Sequence, residues 1–213
     1  MEYEDLRFRD RIDAGRRLAE KLVKYKNKPA VVYALPRGGV PVGKEVAREL
    51  ECPLDLLIIR KIGHPGNPEY ALGAVAEDGF LVVNEEDLAR VDKAWFEAEK
   101  EKQMQEARRR RERYLQGRKP IPAAGKIAIL VDDGIATGST MLAAVKKIRE
   151  ENPETIVVAV AVSPKDTARR FAQEVDDFVA VTVPEVFWGA IGYYYDDFSQ
   201  VTDEEVMALL KNQ

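Results

Sequence analysis

The chain holds 213 residues, 46% hydrophobic and 33% charged, enough apolar material for one generous globular domain or a core domain with an appendage. Its 33 Lys+Arg against 37 Asp+Glu leave a net charge of −4, which removes any general electrostatic case for a nucleic-acid partner. Cys52 alone excludes a disulfide framework and a cysteine metal site, the charged opening MEYEDLRFRDR excludes a signal peptide, and the lack of a long apolar run excludes a membrane span, so a cytoplasmic protein is expected.

In chain order, residues 9–26 space Ile12, Leu18, Leu22 and Val23 among charges, which predicts an amphipathic helix. AVVYALP (30–36) predicts a strand ending at Pro-Arg-Gly-Gly, and VPVGKEVAREL a helix after it. PLDLLIIR (53–60) predicts a second strand, its unbroken apolar run implying burial on both faces. KIGHPGNPEY, with two prolines and two glycines, predicts a loop, and ALGAVAEDGFLVVN two strands joined at the hairpin dipeptide Asp78-Gly79. Residues 84–117 predict one long helix: Asn84 as cap, Glu85, Glu86 and Asp87 in the first turn, arginines in the last and Gly117 as stop, an order that suits the helix dipole. KIAILVDD then predicts a strand, 138–151 a helix, TIVVAVAV a strand, 164–174 a helix, FVAVTV the last strand and 202–210 a short helix.

Strands alternating with helices argue for an α/β fold with a doubly wound, mostly parallel sheet, formed by residues 1–213 as a single domain. Ligands of such sheets bind beyond the carboxyl ends of the strands, where the loops at 36–39 and 132–140 are expected to lie. Two adjacent aspartates, Asp132 and Asp133, end a buried-looking strand there. Burying them would cost a large desolvation energy, so they are expected where the strand opens into a crevice, free to accept hydrogen bonds from hydroxyls or to hold a hydrated cation. Thr137-Gly138-Ser139-Thr140 then offers backbone N–H groups at a helix N-terminus with hydroxyls alongside, which suits a phosphate; no lysine follows the glycine, so this is not a P-loop of the GxxxxGK[ST] kind. A ribose 5-phosphate combines hydroxyls with a phosphate.

On these residues the chain resembles a known family. ILVDDGIATGST (129–140) is similar to the 5-phosphoribosyl-1-pyrophosphate (PRPP) motif of the type I phosphoribosyltransferases: four apolar residues, two acids, a short turn, then Thr-Gly and small hydroxylic residues. ALPRGGV resembles the family's pyrophosphate loop, in which backbone amides and a basic residue, here Arg37, meet the leaving group; a cis peptide at Pro36–Arg37 is implied. IIRKIGHPGNPEY resembles its flexible catalytic loop, with Arg60 and Lys61 to clamp pyrophosphate and 61–71 to close as a lid. The nearest likeness is to stand-alone bacterial phosphoribosyltransferases of unassigned acceptor.

The resemblance implies transfer of 5-phosphoribosyl from PRPP to a nitrogen heterocycle with release of pyrophosphate, dependent on Mg²⁺, in a homodimer and without a membrane or, from the charge, a nucleic-acid partner. It gives Asp132 and Asp133 the ribose hydroxyls and, through water, the Mg²⁺; Arg37, Gly38, Gly39 and Arg60 or Lys61 the pyrophosphate; and Gly134, Ala136, Thr137, Gly138, Ser139 and Thr140 the 5′-phosphate end. Members acting on 6-oxopurines commonly carry an aspartate just before the Thr-Gly, where this chain has Ala136, so a purine-like base other than a 6-oxopurine is expected. His64 and Glu69 are candidates for the base-side proton. Residues 183–198 are expected to form a hood over the base, with Phe187 or Trp188 stacking on it. Arg108 to Arg111 and Arg113 end a segment, 85–116, with nine acids and nine Lys+Arg, which reads first as a solvated helix. The alternative is a PRPP-binding regulator that touches nucleic acid through these arginines.

Overall fold

A computed structural model describes residues 7–211. Its central strands are β1 (Ala30–Ala34), β2 (Leu54–Leu56), β6 (Ile127–Asp132), β7 (Thr155–Val162) and β8 (Asp177–Thr182). They pair in parallel in the order β2-β1-β6-β7-β8. Alternation along the strands divides the core. Val32, Ala34, Ile129 and Val131 face one layer, in which α1 (Arg11–Lys21), α2 (Gly39–Leu50) and α7 (Asp203–Lys211) contribute Leu18, Val46 and Val206. Val31, Tyr33, Ala128 and Leu130 face the other, built from α5 (Ser139–Arg149) and α6 (Lys165–Glu174) through Met141, Val145 and Phe171. Burial on both faces explains the unbroken apolar runs. Each Val, Leu, Ile, Met or Phe among them, fully buried, contributes about 1.5–3 kcal/mol.

A second, antiparallel sheet differs from expectation. β3 (Ile59–His64), β4 (Asn67–Ala76) and β5 (Leu81–Val83) pair in the order β3-β4-β5. The stretch 53–60 is therefore not one strand: the chain leaves the central sheet after Leu56 and enters the second at Ile59. Leu57 and Ile58 stay buried in the crossing, so hydrophobicity carries no mark of the break. Residues 61–71, expected as a loop, make up most of the β3–β4 hairpin, with register shifts around Gly63. Only its tip is a turn, where the Gly66 N–H donates to His64 Nδ1 at 3.0 Å. Pro68 is tolerated because it sits in this irregular end of the ladder.

The single helix expected over 84–117 is two. Asn84 caps α3 (Glu85–Leu88), and Asp92, accepting the Trp95 N–H at 2.8 Å, starts α4 (Lys93–Leu115) afresh. Leu88, Val91, Trp95 and Phe96 pack on Ile62, Leu72 and Val75, so these helices cover the second sheet. Ala107, Tyr114 and Leu115 then carry α4 into the core of the central one. Among the described residues, no helix is long and apolar enough to cross a membrane.

Candidate active site

β1 and β6 are neighbours in register, Ala34 beside Val131, so the loops after them leave the sheet side by side at its carboxyl edge. The Leu35 N–H donates to the Val131 carbonyl at 2.9 Å and extends the contact into the loops. The Pro36–Arg37 peptide is cis. Two glycines let the loops touch. A Cβ on Gly38 would lie 2.1 Å from Asp133 Oδ2, and one on Gly39 would lie 2.7 Å from the Val131 carbonyl oxygen and 3.1 Å from Asp132 Oδ1. Gly38 has ordinary helical torsions, so close approach and not backbone freedom requires it. Gly39 differs from expectation in one respect: its amide already donates to the Leu35 carbonyl at 3.0 Å, whereas among the described residues no backbone acceptor takes the Arg37 or Gly38 amide.

The aspartate pair has a partner far away in sequence. Arg11 Nε donates to Asp133 Oδ2 at 2.7 Å, Arg11 Nη1 to the Ser199 carbonyl at 2.7 Å, and the guanidinium lies 4.0 Å from the Phe198 ring centroid. Tyr195 Oη donates to the Asp133 carbonyl at 2.6 Å. Asp132 Oδ1 accepts the Asp133 N–H at 2.9 Å. Burial, and then the charge of Asp133, push the Asp132 carboxyl well above the usual carboxylate range. Burial raises Asp133 too, against the opposing pull of Arg11. One arginine thus faces two crowded carboxylates. A divalent cation fits this set: the donors are hard oxygens, their repulsion is only half met, and no third His, Cys, Asp or Glu gathers there among the described residues, so the rest of its shell would be water and substrate oxygen.

After Gly134 comes the expected phosphate loop. Gly138 has φ +73°, and a Cβ there would lie 2.5 Å from Phe171 Cε2. Thr137 Oγ1 and Ser139 Oγ are 3.3 Å apart. The loop carbonyls of Ala136 and Thr137 accept from Thr167 Oγ1 (2.7 Å) and Arg170 Nη2 of α6. Among the described residues, no protein acceptor takes the amides of Ala136, Thr137 or Gly138.

Strand alternation separates Arg60 from Lys61. Arg60 Nε donates to Gln103 Oε1 of α4 at 3.0 Å, whereas Lys61 lines a cavity of about 310 Å³ with Ser139, Thr140 and Arg170. His64 is held in the hairpin tip, and the side chain of Glu69 lies outside the described residues. The segment 183–198 packs on the site: a Cβ on Gly134 would lie 2.7 Å from Ile191 Cγ2. Within it Phe187 stacks on Tyr194 at 5.6 Å, while Trp188 is 62% exposed.

Arg37 Nη1 reaches Asp203 Oδ1 of α7 at 3.3 Å, and the same carboxylate takes Arg113 at 2.8 Å and the Tyr114 hydroxyl at 2.6 Å. The arginine run on α4 makes its contacts within this chain, with Arg108 and Arg109 at the surface. Arg108 donates to the Glu77 carbonyl, Arg109 and Arg110 pair with Glu106, and Arg111 pairs with Asp55 and Glu77. Arg11, Thr167, Arg170, Tyr195 and Asp203 are the site's contributors that no spacing rule reaches. The contacts of Arg11 and Tyr195 with Asp133 span 122 and 62 residues.

A family model described as the phosphoribosyl transferase domain matches residues 6–197. Proteins of two Mycobacterium tuberculosis strains, each named “Putative phosphoribosyl transferase”, are 47% identical over 206 residues, 95% of this chain and 46% of theirs, so the chain spans about half the length of these curated relatives. Among solved structures, TT1426 from Thermus thermophilus matches with TM-score 0.83 and 45% identity over 97% of this chain and 98% of that one. A hypothetical protein from Neisseria gonorrhoeae with bound ppGpp shares the fold at TM-score 0.52 and 16% identity, over 100% of this chain and 94% of that one.

Proposed function

Given that the chain belongs to the phosphoribosyl transferase domain family, we propose that it transfers 5-phosphoribosyl from PRPP to a nitrogen heterocycle and releases pyrophosphate. The observation that carries the reading is the meeting of two anion-suited loops, 35–39 and 134–140, around the Asp132–Asp133 pair at one edge of the sheet. In this reaction the acceptor nitrogen forms a bond to the anomeric carbon, the bond from that carbon to the pyrophosphate oxygen breaks with its electron pair going to pyrophosphate, and the acceptor's N–H proton leaves to solvent or a nearby base.

In our reading, Asp132 and Asp133 hold the ribose hydroxyls, and their charge favours the cationic sugar of the transition state. The Arg37 and Gly38 amides and the Lys61 ammonium receive the pyrophosphate. The Thr137 and Gly138 amides, with the Ser139 and Thr140 hydroxyls, receive the 5′-phosphate. Mg²⁺ held through water at Asp132 and Asp133 would supply charge neutralisation for the departing pyrophosphate. The acceptor we favour is a base other than a 6-oxopurine, because Ala136 offers no carboxylate to it, and of Phe187 and Trp188 it is the exposed Trp188 that we assign to stack on it. Most arginines of the α4 run are engaged by carboxylates of this chain, Arg109 and Arg110 by Glu106 and Arg111 by Asp55 and Glu77, which favours transfer over the regulatory alternative.

The test is pyrophosphate release from PRPP with Mg²⁺, alone and with a panel of purines, pyrimidines and other heterocycles. Release dependent on one compound is expected and names the acceptor. No PRPP binding by calorimetry, together with no release, would overturn the proposal. Asp133→Asn is expected to lower kcat/KM by about 10²-fold while the protein still melts cooperatively; undiminished turnover would reject the role of the pair.

A further inference from the structure

Thr167 and Arg170 sit three residues apart on one face of α6, followed on that face by Phe171, which is fully buried and stacks on Phe178 with centroids 6.0 Å apart. The helix is therefore a fixed support. From it, Thr167 Oγ1 donates to the Ala136 carbonyl at 2.7 Å, and Arg170 Nη2 donates to the Thr137 carbonyl. These are consecutive peptide units of the loop after β6. Both are trans, and in a trans peptide the carbonyl and the following N–H point in opposite directions. Holding the Ala136 and Thr137 carbonyls against α6 therefore turns the Thr137 and Gly138 N–H groups to the loop's other side. Neither amide has a protein acceptor among the described residues. Gly138 presses flat on the same helix, since a Cβ there would lie 2.5 Å from Phe171 Cε2 and 2.9 Å from Arg170 Nη2.

We propose that Thr167 and Arg170 are positioning residues that pin this loop with its amides facing outward, and so set its affinity for the phosphate monoester of a pentose. The inference rests on the phosphoribosyl reading above and deepens it. With the anchors gone, either peptide can flip and present a carbonyl oxygen where the phosphate must sit. The two anchors differ in strength: Thr167 supplies one neutral hydrogen bond, whereas Arg170 also brings a positive charge beside the loop.

The experiment is calorimetric binding of ribose 5-phosphate and, separately, of pyrophosphate, to the wild type and to Thr167→Val, Thr167→Ser and Arg170→Gln, with melting curves for each. Thr167→Val is expected to weaken ribose 5-phosphate about 3- to 10-fold and Arg170→Gln about 10- to 100-fold. Thr167→Ser should restore wild-type affinity within about twofold, because the hydroxyl returns. Pyrophosphate, received on loop 35–39 in our reading, should bind the Thr167 variants as it binds the wild type; Arg170 shares a cavity with Lys61, so Arg170→Gln is expected to weaken pyrophosphate, but by less than it weakens ribose 5-phosphate. Variants that bind ribose 5-phosphate like the wild type, or that lose both ligands equally, would overturn the inference and leave the phosphoribosyl reading standing. A wild type that binds neither ribose 5-phosphate nor PRPP would overturn both.

Discussion

At the scale of single residues the site is crowded, and two substitutions expose the crowding. A methyl group at Gly38 would meet Asp133 Oδ2 at 2.1 Å, and that carboxylate is held by Arg11. Gly38→Ala is therefore expected to push Asp133 off its arginine and weaken PRPP binding at least about tenfold, measurable by calorimetry; intact affinity would show that the loop yields cheaply. Asp132 carries the opposite lesson. Its carboxyl holds a proton more firmly in the folded than in the unfolded chain, because of burial and then of Asp133. Its stabilising contribution is thus complete below the unfolded value of about 3.9 and is lost as pH rises through the folded value. Asp132→Asn removes that loss. In EDTA the variant should melt above the wild type at pH 8, by about 2–4 °C, with the gap closing toward pH 4; a lower Tm at pH 8 would contradict it. The aspartates were legible in the sequence because a buried strand ending in two acids has few physical excuses. Arg11 was not: nothing in a charged helix start marks which arginine will cross the fold to residue 133.

At the scale of elements, α4 shows how composition misleads. Four consecutive arginines must point around the helix, and each meets a different environment. Arg109 sits on the solvent side with Glu106, whereas Arg111 is inserted between Asp55 of β2 and Glu77 of the β4–β5 turn. Removing Arg111 strands two carboxylates, one of which, Glu77, already has a buried oxygen without a partner. Arg111→Ala is expected to cost about 3–5 kcal/mol and lower Tm by roughly 10 °C. The loss should be greater at pH 8 than at pH 5, because burial holds the Glu77 proton above the usual carboxylate range and Arg111 opposes that. Arg109→Ala, by contrast, should change stability by less than about 0.5 kcal/mol. Equal effects in thermal melts would refute this division. The period of a strand was equally decisive at Arg60 and Lys61: read as loop residues they share one task, but in β3 they face opposite sides. Pro65, Gly66 and Pro68 disguised that strand, and Asp92 restarted the helix where charge patterning alone runs on.

For the molecule as a whole, the doubly wound sheet was legible because burial on both faces leaves apolar runs no alternative. The junctions between layers were not, since they depend on contacts such as Asp203 on α7, which gathers Arg37 from the loop after β1 and Arg113 and Tyr114 from α4. The Tyr114 hydrogen bond, with the arginines, holds the Asp203 carboxyl below the usual range. Its contribution is present above the unfolded value of about 3.9 and is lost as pH falls through the folded one. Asp203→Asn should thus flatten the acid limb of stability against pH; an unaltered acid limb in denaturant titrations at pH 3–5 would refute it.

Arg111 ties the central sheet to the base of the antiparallel one, and this makes the β3–β4 hairpin a cantilever: clamped at its root, exposed at its end. Amplitude in such a beam grows outward from the clamp. Ile62, Leu72 and Val75 are buried near the root, while residues 65–67 at the end are exposed. Amide exchange should follow suit, slow beside Ile62 and Val75 and fastest around Gly66, and cutting the tie at Arg111 should spread fast exchange down the whole beam.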